Sequence, residues 1–255
     1  MSSSPLHALR IGCVQYLNSK PLIHGYTGTI TLEHPSALAR DLSKGLLDAA
    51  LVPTFEALEH PHYVLVDHVA IASDGPVFSV VLAYRGELRD IRSVKLDPAS
   101  RTSQNLIRVV LAEFHGLHPE FGHEGEAELI IGNQAIEYRE CHDEDRSIHL
   151  LDLGAEWKRC TGLPFVYAIW ALRGDLPNLR EIADAFRALK ENGVANLESV
   201  LEDDDTGTPE FRRRYLTEHI RFNLGSEEKR GIARYRELLA KYGRIEGTVP
   251  ELQFV

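Results

Sequence analysis

"LRIGCVQYLNSKPLIHG", residues 9–25, decides how this chain is read. Leu9–Val14 is a short apolar run that reads as a buried β-strand. Pro21–Gly25 reads as one or two turns of helix, with the proline in a first turn, where it is tolerated. Between them stands Asn18, an uncharged amide at the carboxyl end of a first strand. Strand, polar turn, helix is how an α/β fold begins.

Working outward, the alternation continues. Thr29–Glu33 reads as a strand. A helical stretch starts near Pro35 and ends at Gly45, a natural C-cap. Asp48–Val52 is the next strand, and Pro53 opens a helix carrying Glu56. Such alternation predicts a mostly parallel sheet covered on both faces. Tyr63–Ala72 and Val77–Tyr84 are longer β-rich runs separated only by Ser73-Asp74-Gly75-Pro76. A second α/β series starts at Val94. It continues through a helix at Thr102–His115, a strand at Glu128–Ile131, a helix at Asn133–Glu140 and a strand at Ile148–Leu151. Phe165–Leu172 is again long and apolar. From Leu176 the pattern is helical, with Ile182, Ala185, Phe186 and Leu189 on one face, and Asp203–Pro209 reads as a connection between helices.

The prediction is two α/β lobes joined by two long strands that cross near Val77–Arg85 and Phe165–Arg173. Residues 1–84 with 174–255 form the first lobe, and 85–173 form the second. The C-terminal helices pack on the first lobe, and a ligand cleft lies between the two. The apolar end Leu252–Val255 has two docking places open to it, the first lobe or a partner.

Composition narrows the function classes. The chain has 255 residues, 44% of them hydrophobic, enough for a sizeable core. A formal charge of −10 argues against non-specific affinity for nucleic acid or an anionic membrane. The three cysteines, Cys13, Cys141 and Cys160, are scattered without ligand spacing, which suits a reducing compartment. No basic segment leads into a long apolar run, so the expected location is the cytoplasm.

In open α/β sheets ligands bind beyond the carboxyl ends of the strands, where helix N-termini converge. Tyr16–Ser19, Pro98–Gln104 and Gly132–Gln134 fall there, and Gly75–Ser79 lies at the first crossing. Ser100, Arg101, Thr102 and Ser103 would offer hydroxyls, a guanidinium and helix N–H groups to a carboxylate or phosphate. Each has a plainer reading. Asn18 serves equally as a helix N-cap, Ser79 as a buried hydroxyl bonded to backbone, and Glu56 as an acid favoured in a first helical turn. His115, His118 and His123 with Glu113 and Glu124 lack metal-ligand spacing and read as surface. There is no Walker motif, dinucleotide fingerprint or nucleophile elbow. The residues alone support a two-lobed protein with a cleft of neutral donors and a small anionic ligand.

Four stretches add a resemblance. "QYLNSKPLIHG" (15–25), "SDGPVFSVVL" (73–82), "LDPASRTSQNL" (96–106) and "DLGAEWKRCTGLPFVYAIW" (152–170) together resemble the chorismate dehydratases of the futalosine-dependent menaquinone pathway. The resemblance runs from Arg10 to about Trp170. It implies a periplasmic-binding-protein-like fold of the second type and an intracellular enzyme without metal or organic cofactor. The implied substrate is the dicarboxylate chorismate, which loses water to give 3-[(1-carboxyvinyl)oxy]benzoate, and neither nucleic acid nor membrane is an implied partner. Asn18 and Ser79 become the expected catalytic residues. Ser100, Arg101, Thr102, Ser103, Gly132 and Asn133 become the expected substrate contacts, and Glu56 a rival to the substrate's own carboxylate as base. The family usually carries Gly-Asp where this chain has Gly132-Asn133. A sister family that makes a dihydroxynaphthoate ends its first strand in a Pro-Asn-Asp type of turn; Leu17-Asn18-Ser19 favours the dehydratase. A small-anion binding or sensing protein of the same fold is the alternative from another class.

Overall fold

The computed structural model describes residues 4–202, 204–246 and 251–255. Of the connection expected at 203–209, Asp203 lies outside the described residues. β1 (Ile11–Cys13) leads into 3₁₀ turns at Leu17–Leu22, which start four residues before the helix expected at Pro21–Gly25 and take Asn18 into their first turn. Then follow β2 (Ile30–Leu32), α1 (Pro35–Ser43), β3 (Ala49–Pro53), α2 (Thr54–Glu59) and β4 (Tyr63–Ser73). A second group contains β5 (Val80–Arg85), β6 (Ser93–Lys95), α3 (Arg101–His115), β7 (Glu120–Gly122) and β8 (Ala127–Ile131). It goes on through α4 (Gly132–Cys141), β9 (Ile148–Asp152) and α5 (Leu153–Thr161). The chain closes with β10 (Phe165–Arg173), α6 (Leu179–Ala195), α7 (Leu197–Glu202), α8 (Pro209–Arg214), α9 (Ser226–Lys241) and β11 (Gln253–Phe254).

Among the described residues these strands form two sheets. The first has the order β11-β4-β10-β3-β1-β2 and the second β7-β6-β8-β5-β9. β1 runs parallel to β2 and β3, and β6 parallel to β7 and β8. β10 is antiparallel to β3 and β4, and β5 to β8 and β9. β3 is buried along its whole length, as a strand covered on both faces requires. Helix α1 lies flush on β1 at Gly12, where a Cβ would stand 2.6 Å from both the Leu38 and Leu47 side chains.

Three expectations are corrected. The long apolar runs do not cross between sheets: β5 lies wholly in the second and β10 wholly in the first. The crossings are the segment 74–79, leaving β4, and residues 162–164, leading into β10. Residues 80–84, expected in the first lobe, therefore belong with the second sheet, and 165–173 with the first. A run of buried apolar residues looks the same whether it spans two sheets or sits inside one. Next, α5 and β7 stand where no element was read. Finally, the C-terminal helices do more than cover the first sheet. α6 lies on β4 and on the turns after β1, whereas α9 packs on both β10 and α3. There Tyr235 donates to the Thr102 carbonyl at 2.9 Å and Arg244 to Asn105 Oδ1 at 2.8 Å.

The apolar end finds its place within the chain. β11 pairs in parallel with β4, Phe254 opposite Leu65, and the Lys229 ammonium sits 4.6 Å from the Phe254 ring. No helix among the described residues is long and apolar enough to cross a membrane.

Candidate active site

A small cavity opens where the two sheets face each other, walled by residues of both. Its polar side chains are Tyr16, Asn18, Ser79, Ser100, Ser103 and Tyr167; the rest of the wall is aliphatic, proline or glycine. Among the described lining residues there is no Asp, Glu, His, Lys or Arg.

The strand ends put these groups there. Asn18, 9% exposed, sits in the first turn after β1, and its Nδ2 donates to the Tyr215 hydroxyl at 3.0 Å. Ser19 holds that turn by donating to the Val14 and Tyr16 carbonyls. Ser79, 1% exposed, lies on the crossing segment and accepts from Tyr215 at 2.8 Å. Asp152 clamps this segment, accepting from Val77 N at 3.0 Å and Phe78 N at 2.8 Å while capping α5. Arg139 adds a bond to the Phe78 carbonyl at 3.0 Å. Phe78 adopts φ 63°, a left-handed conformation that this clamp holds in place.

Ser100 caps α3, its hydroxyl accepting from Ser103 N at 3.3 Å and lying 3.2 Å from Ser103 Oγ. The positive end of α3 thus meets the cavity through two hydroxyls. Gly132, at the end of β8, has φ 63° and donates its N–H to the Ser79 carbonyl at 2.8 Å. A Cβ there would stand 2.8 Å from the Tyr16 ring, so only glycine lets that ring close against the wall. Burial and the nearby Asp97 carboxylate push the Tyr16 phenol up to about 12, and burial raises Tyr167 and Tyr215 as well. All three are neutral hydroxyls at pH 7.

Asn18, Ser79, Ser100, Ser103 and Gly132 are therefore brought together, and the other expected residues are not. Thr102 is fully buried away from the cavity; its Oγ1 accepts from Phe55 N at 2.9 Å, fastening α2 to α3. Arg101 turns outward, donating to Glu59 at 2.9 Å and to Glu56 at 3.4 Å, its guanidinium 4.7 Å from the Phe55 ring. Glu56 is buried beneath it, with His60 Nδ1 3.0 Å from its carboxylate. It has no place on the cavity wall. A helical turn at Thr54–Glu59 fixes which residues share a face, and Glu56 falls on the face toward α3. Glu56, Glu59 and His60 lie close together, and Arg101 pairs with both carboxylates.

Asn133 has a structural task at the cleft edge. Its Oδ1 accepts from Leu17 N at 3.2 Å and its Nδ2 donates to Thr206 Oγ1 at 2.9 Å, tying α4 to the first strand's turn and to the C-terminal segment. An aspartate here would lose the second bond as a donor, so the amide fits its surroundings. Tyr167 and Tyr215 were missed by sequence reasoning, and Tyr16 was given no role. Tyr16 stood in a polar stretch that was singled out, whereas Tyr215 lies some 200 residues from Asn18 in a helical region with no local signal.

This architecture can be set beside known proteins. A family model described as menaquinone biosynthesis matches residues 9–241. The chain belongs to that family. It is similar to the chorismate dehydratase of Thermus thermophilus, with 28% identity over 257 residues, covering 90% of this chain and 94% of that one. The chorismate dehydratase of Campylobacter jejuni shares 26% over 223 residues, covering 86% and 88%. Among solved structures, protein AF1704 from Archaeoglobus fulgidus matches with a TM-score of 0.73 at 15% identity, covering 93% of this chain and 98% of that one. The Candida albicans CA3427 gene product, described as having the generic periplasmic binding protein fold, matches at 0.62 with 13% identity, covering 94% and 91%. These last two likenesses establish the fold: the family member described here has the periplasmic-binding-protein architecture expected of it.

Proposed function

We propose that this chain is a lyase that dehydrates chorismate to 3-[(1-carboxyvinyl)oxy]benzoate in menaquinone biosynthesis. The observation that carries the reading is the match to two chorismate dehydratases over most of the chain, joined to a cavity at the strand ends between the two sheets. The lobes follow the sheets: residues 80–161 form one, and the described residues before 74 and after 164 form the other. The three cysteines stand free, in keeping with a cytoplasmic enzyme.

Dehydration removes the ring hydroxyl and the proton on the neighbouring carbon that bears the ether oxygen. The ring becomes aromatic, so the driving force resides in the substrate. The wall supplies hydroxyls and amides, which donate and accept hydrogen bonds but are poor bases at pH 7. Glu56 faces elsewhere. The proton therefore passes to the enolpyruvyl carboxylate of the substrate itself, folded over its own ring, and from there to the departing hydroxide, which leaves as water. Holding the arm in that geometry is the enzyme's main task, and such orientation is worth ~7–11 kcal/mol. Ser100, Ser103 and the N-terminus of α3 receive the ring carboxylate, Ser79 orients the arm, and Asn18 meets the hydroxyl region.

The test is incubation of the purified protein with chorismate, followed by chromatography and mass measurement. A product lighter by one water, lost in Asn18→Asp, is expected: a carboxylate there repels a dianion and removes the amide donor. Near-normal turnover by Asn18→Asp would take Asn18 out of the mechanism. Chorismate bound but unconverted would make the protein a receptor.

A further inference from the structure

Asn18 is satisfied on one side only. Its Nδ2 donates to Tyr215 at 3.0 Å, while its Oδ1, buried, has no hydrogen-bond partner among the described residues. The Tyr215 proton goes on to Ser79 Oγ at 2.8 Å. A phenol has a single proton, and a serine hydroxyl that accepts it keeps its own proton for another acceptor. The chain of bonds thus runs one way, from amide to phenol to serine. It leaves two groups free to bond, an acceptor at Asn18 Oδ1 and a donor at Ser79, both on residues that line the cavity.

Tyr215 owes its reach to an irregular backbone. It opens a π-helical turn, Tyr215–His219, closed by the Ile220 N–H on the Tyr215 carbonyl at 3.0 Å; such turns are frequent at functional sites. The segment before it is tied down on both sides of the cleft. Asp204 pairs with Lys20 at 2.7 Å beside the first strand's turn, and Thr206 accepts from Asn133 on α4. Asn18 hangs from the end of β1 and Ser79 from the crossing into the second sheet. Tyr215 bonds both only when these elements stand as they do here.

We propose that Tyr215 is a positioning residue that orients the Asn18 amide and the Ser79 hydroxyl, and through them decides which part of the substrate each one reads. The inference rests on the dehydratase reading and sharpens it. Asn18 Oδ1, an acceptor, suits the ring hydroxyl, which has a proton to give. A carboxylate, which only accepts, suits Ser79. Asn18 therefore orients the ring hydroxyl by accepting from it, and Ser79 holds the enolpyruvyl carboxylate, which hands its newly acquired proton to that oxygen as it leaves as water.

Tyr215→Phe removes one oxygen and keeps the ring. With chorismate as substrate, kcat is expected to fall roughly 10²-fold, the order of loss from misplacing a reacting group, while KM and the melting temperature change little. On a Ser79→Ala background the same substitution should cost far less, because a link through which it acts is already gone. Unchanged kcat in Tyr215→Phe, or losses that simply add in the double variant, would overturn the proposal. A second measurement needs only Asn18→Ser to assign the signal: side-chain amide NMR of the unmodified protein. One slowly exchanging Asn18 N–H supports the fixed amide, and two freely exchanging protons refute it. If the unmodified protein leaves chorismate intact, the dehydratase reading fails, and the NMR result still decides the positioning.

Discussion

Gly132→Ala is the substitution whose cost can be worked out most fully. Two effects combine at this position. The backbone stands at φ 63°, where a Cβ crowds the following carbonyl at a cost of about 1–2 kcal/mol. The new methyl would also lie 2.8, 2.9 and 3.1 Å from three carbons of the Tyr16 ring. Carbon atoms pack best at ~3.5–4.0 Å, so the ring must retreat by nearly ~1 Å. Overpacking of this kind costs about 1–3 kcal/mol. The sum is roughly 2–5 kcal/mol. Gly162 provides the control: its φ is 73°, and nothing lies within 4 Å of the Cβ it lacks. Gly162→Ala carries the backbone cost alone. Urea unfolding of both variants, read from midpoints at constant slope, should show Gly132→Ala the less stable by about 1–3 kcal/mol. Turnover separates them further. Tyr16 lines the cavity, so Gly132→Ala should lose up to ~10²-fold in kcat/KM, while Gly162→Ala stays near the unmodified enzyme. Equal destabilisation by the two would refute the contact argument, and undiminished turnover in Gly132→Ala would remove Tyr16 from the working wall.

Two further outcomes follow from the geometry. Glu56→Gln should keep most of the activity, because the Glu56 carboxylate faces His60 and Arg101; a loss of ~10²-fold or more in kcat would reinstate it as the base. Asp48 accepts hydrogen bonds from the Arg10 side chain at 2.6 and 2.9 Å and from its N–H at 2.9 Å, which hold its carboxyl below the usual carboxylate range against the opposing effect of burial. A depressed folded-state value means the stabilisation is present above the unfolded value of ~3.9 and is lost as pH falls through the folded one. The stability gap between the unmodified protein and Asp48→Asn should be constant near neutrality and shrink below about pH 4. A gap that widens on acidification would reverse the assignment.

Much of this protein was legible in one dimension. Alternating strands and helices, with proline opening α1 and glycine closing it, are local signals, and they give two α/β sheets with binding loops at the strand ends. The first turn, Tyr16–Ser19, and the cap Ser100 with Ser103 were found because strand ends and helix starts are marked by neighbouring residues. The motifs around them also resemble a known family. Tertiary structure alone decided the rest. Arg101, Thr102 and Ser103 are consecutive on α3, yet only Ser103 meets the cavity, because a helix turns successive side chains by about 100° and the packing of α2 chooses the face. Glu56 fell on the face of α2 that meets Arg101, off the cavity wall, for the same reason. Which sheet a long apolar run joins is set by its hydrogen-bonded neighbours, so β5 and β10 could not be placed from their own residues. Tyr215 shows the limit most plainly: its bonds to Asn18 and Ser79 span 197 and 136 residues. Nothing local encodes a contact that exists only once two sheets and a C-terminal segment close on one another.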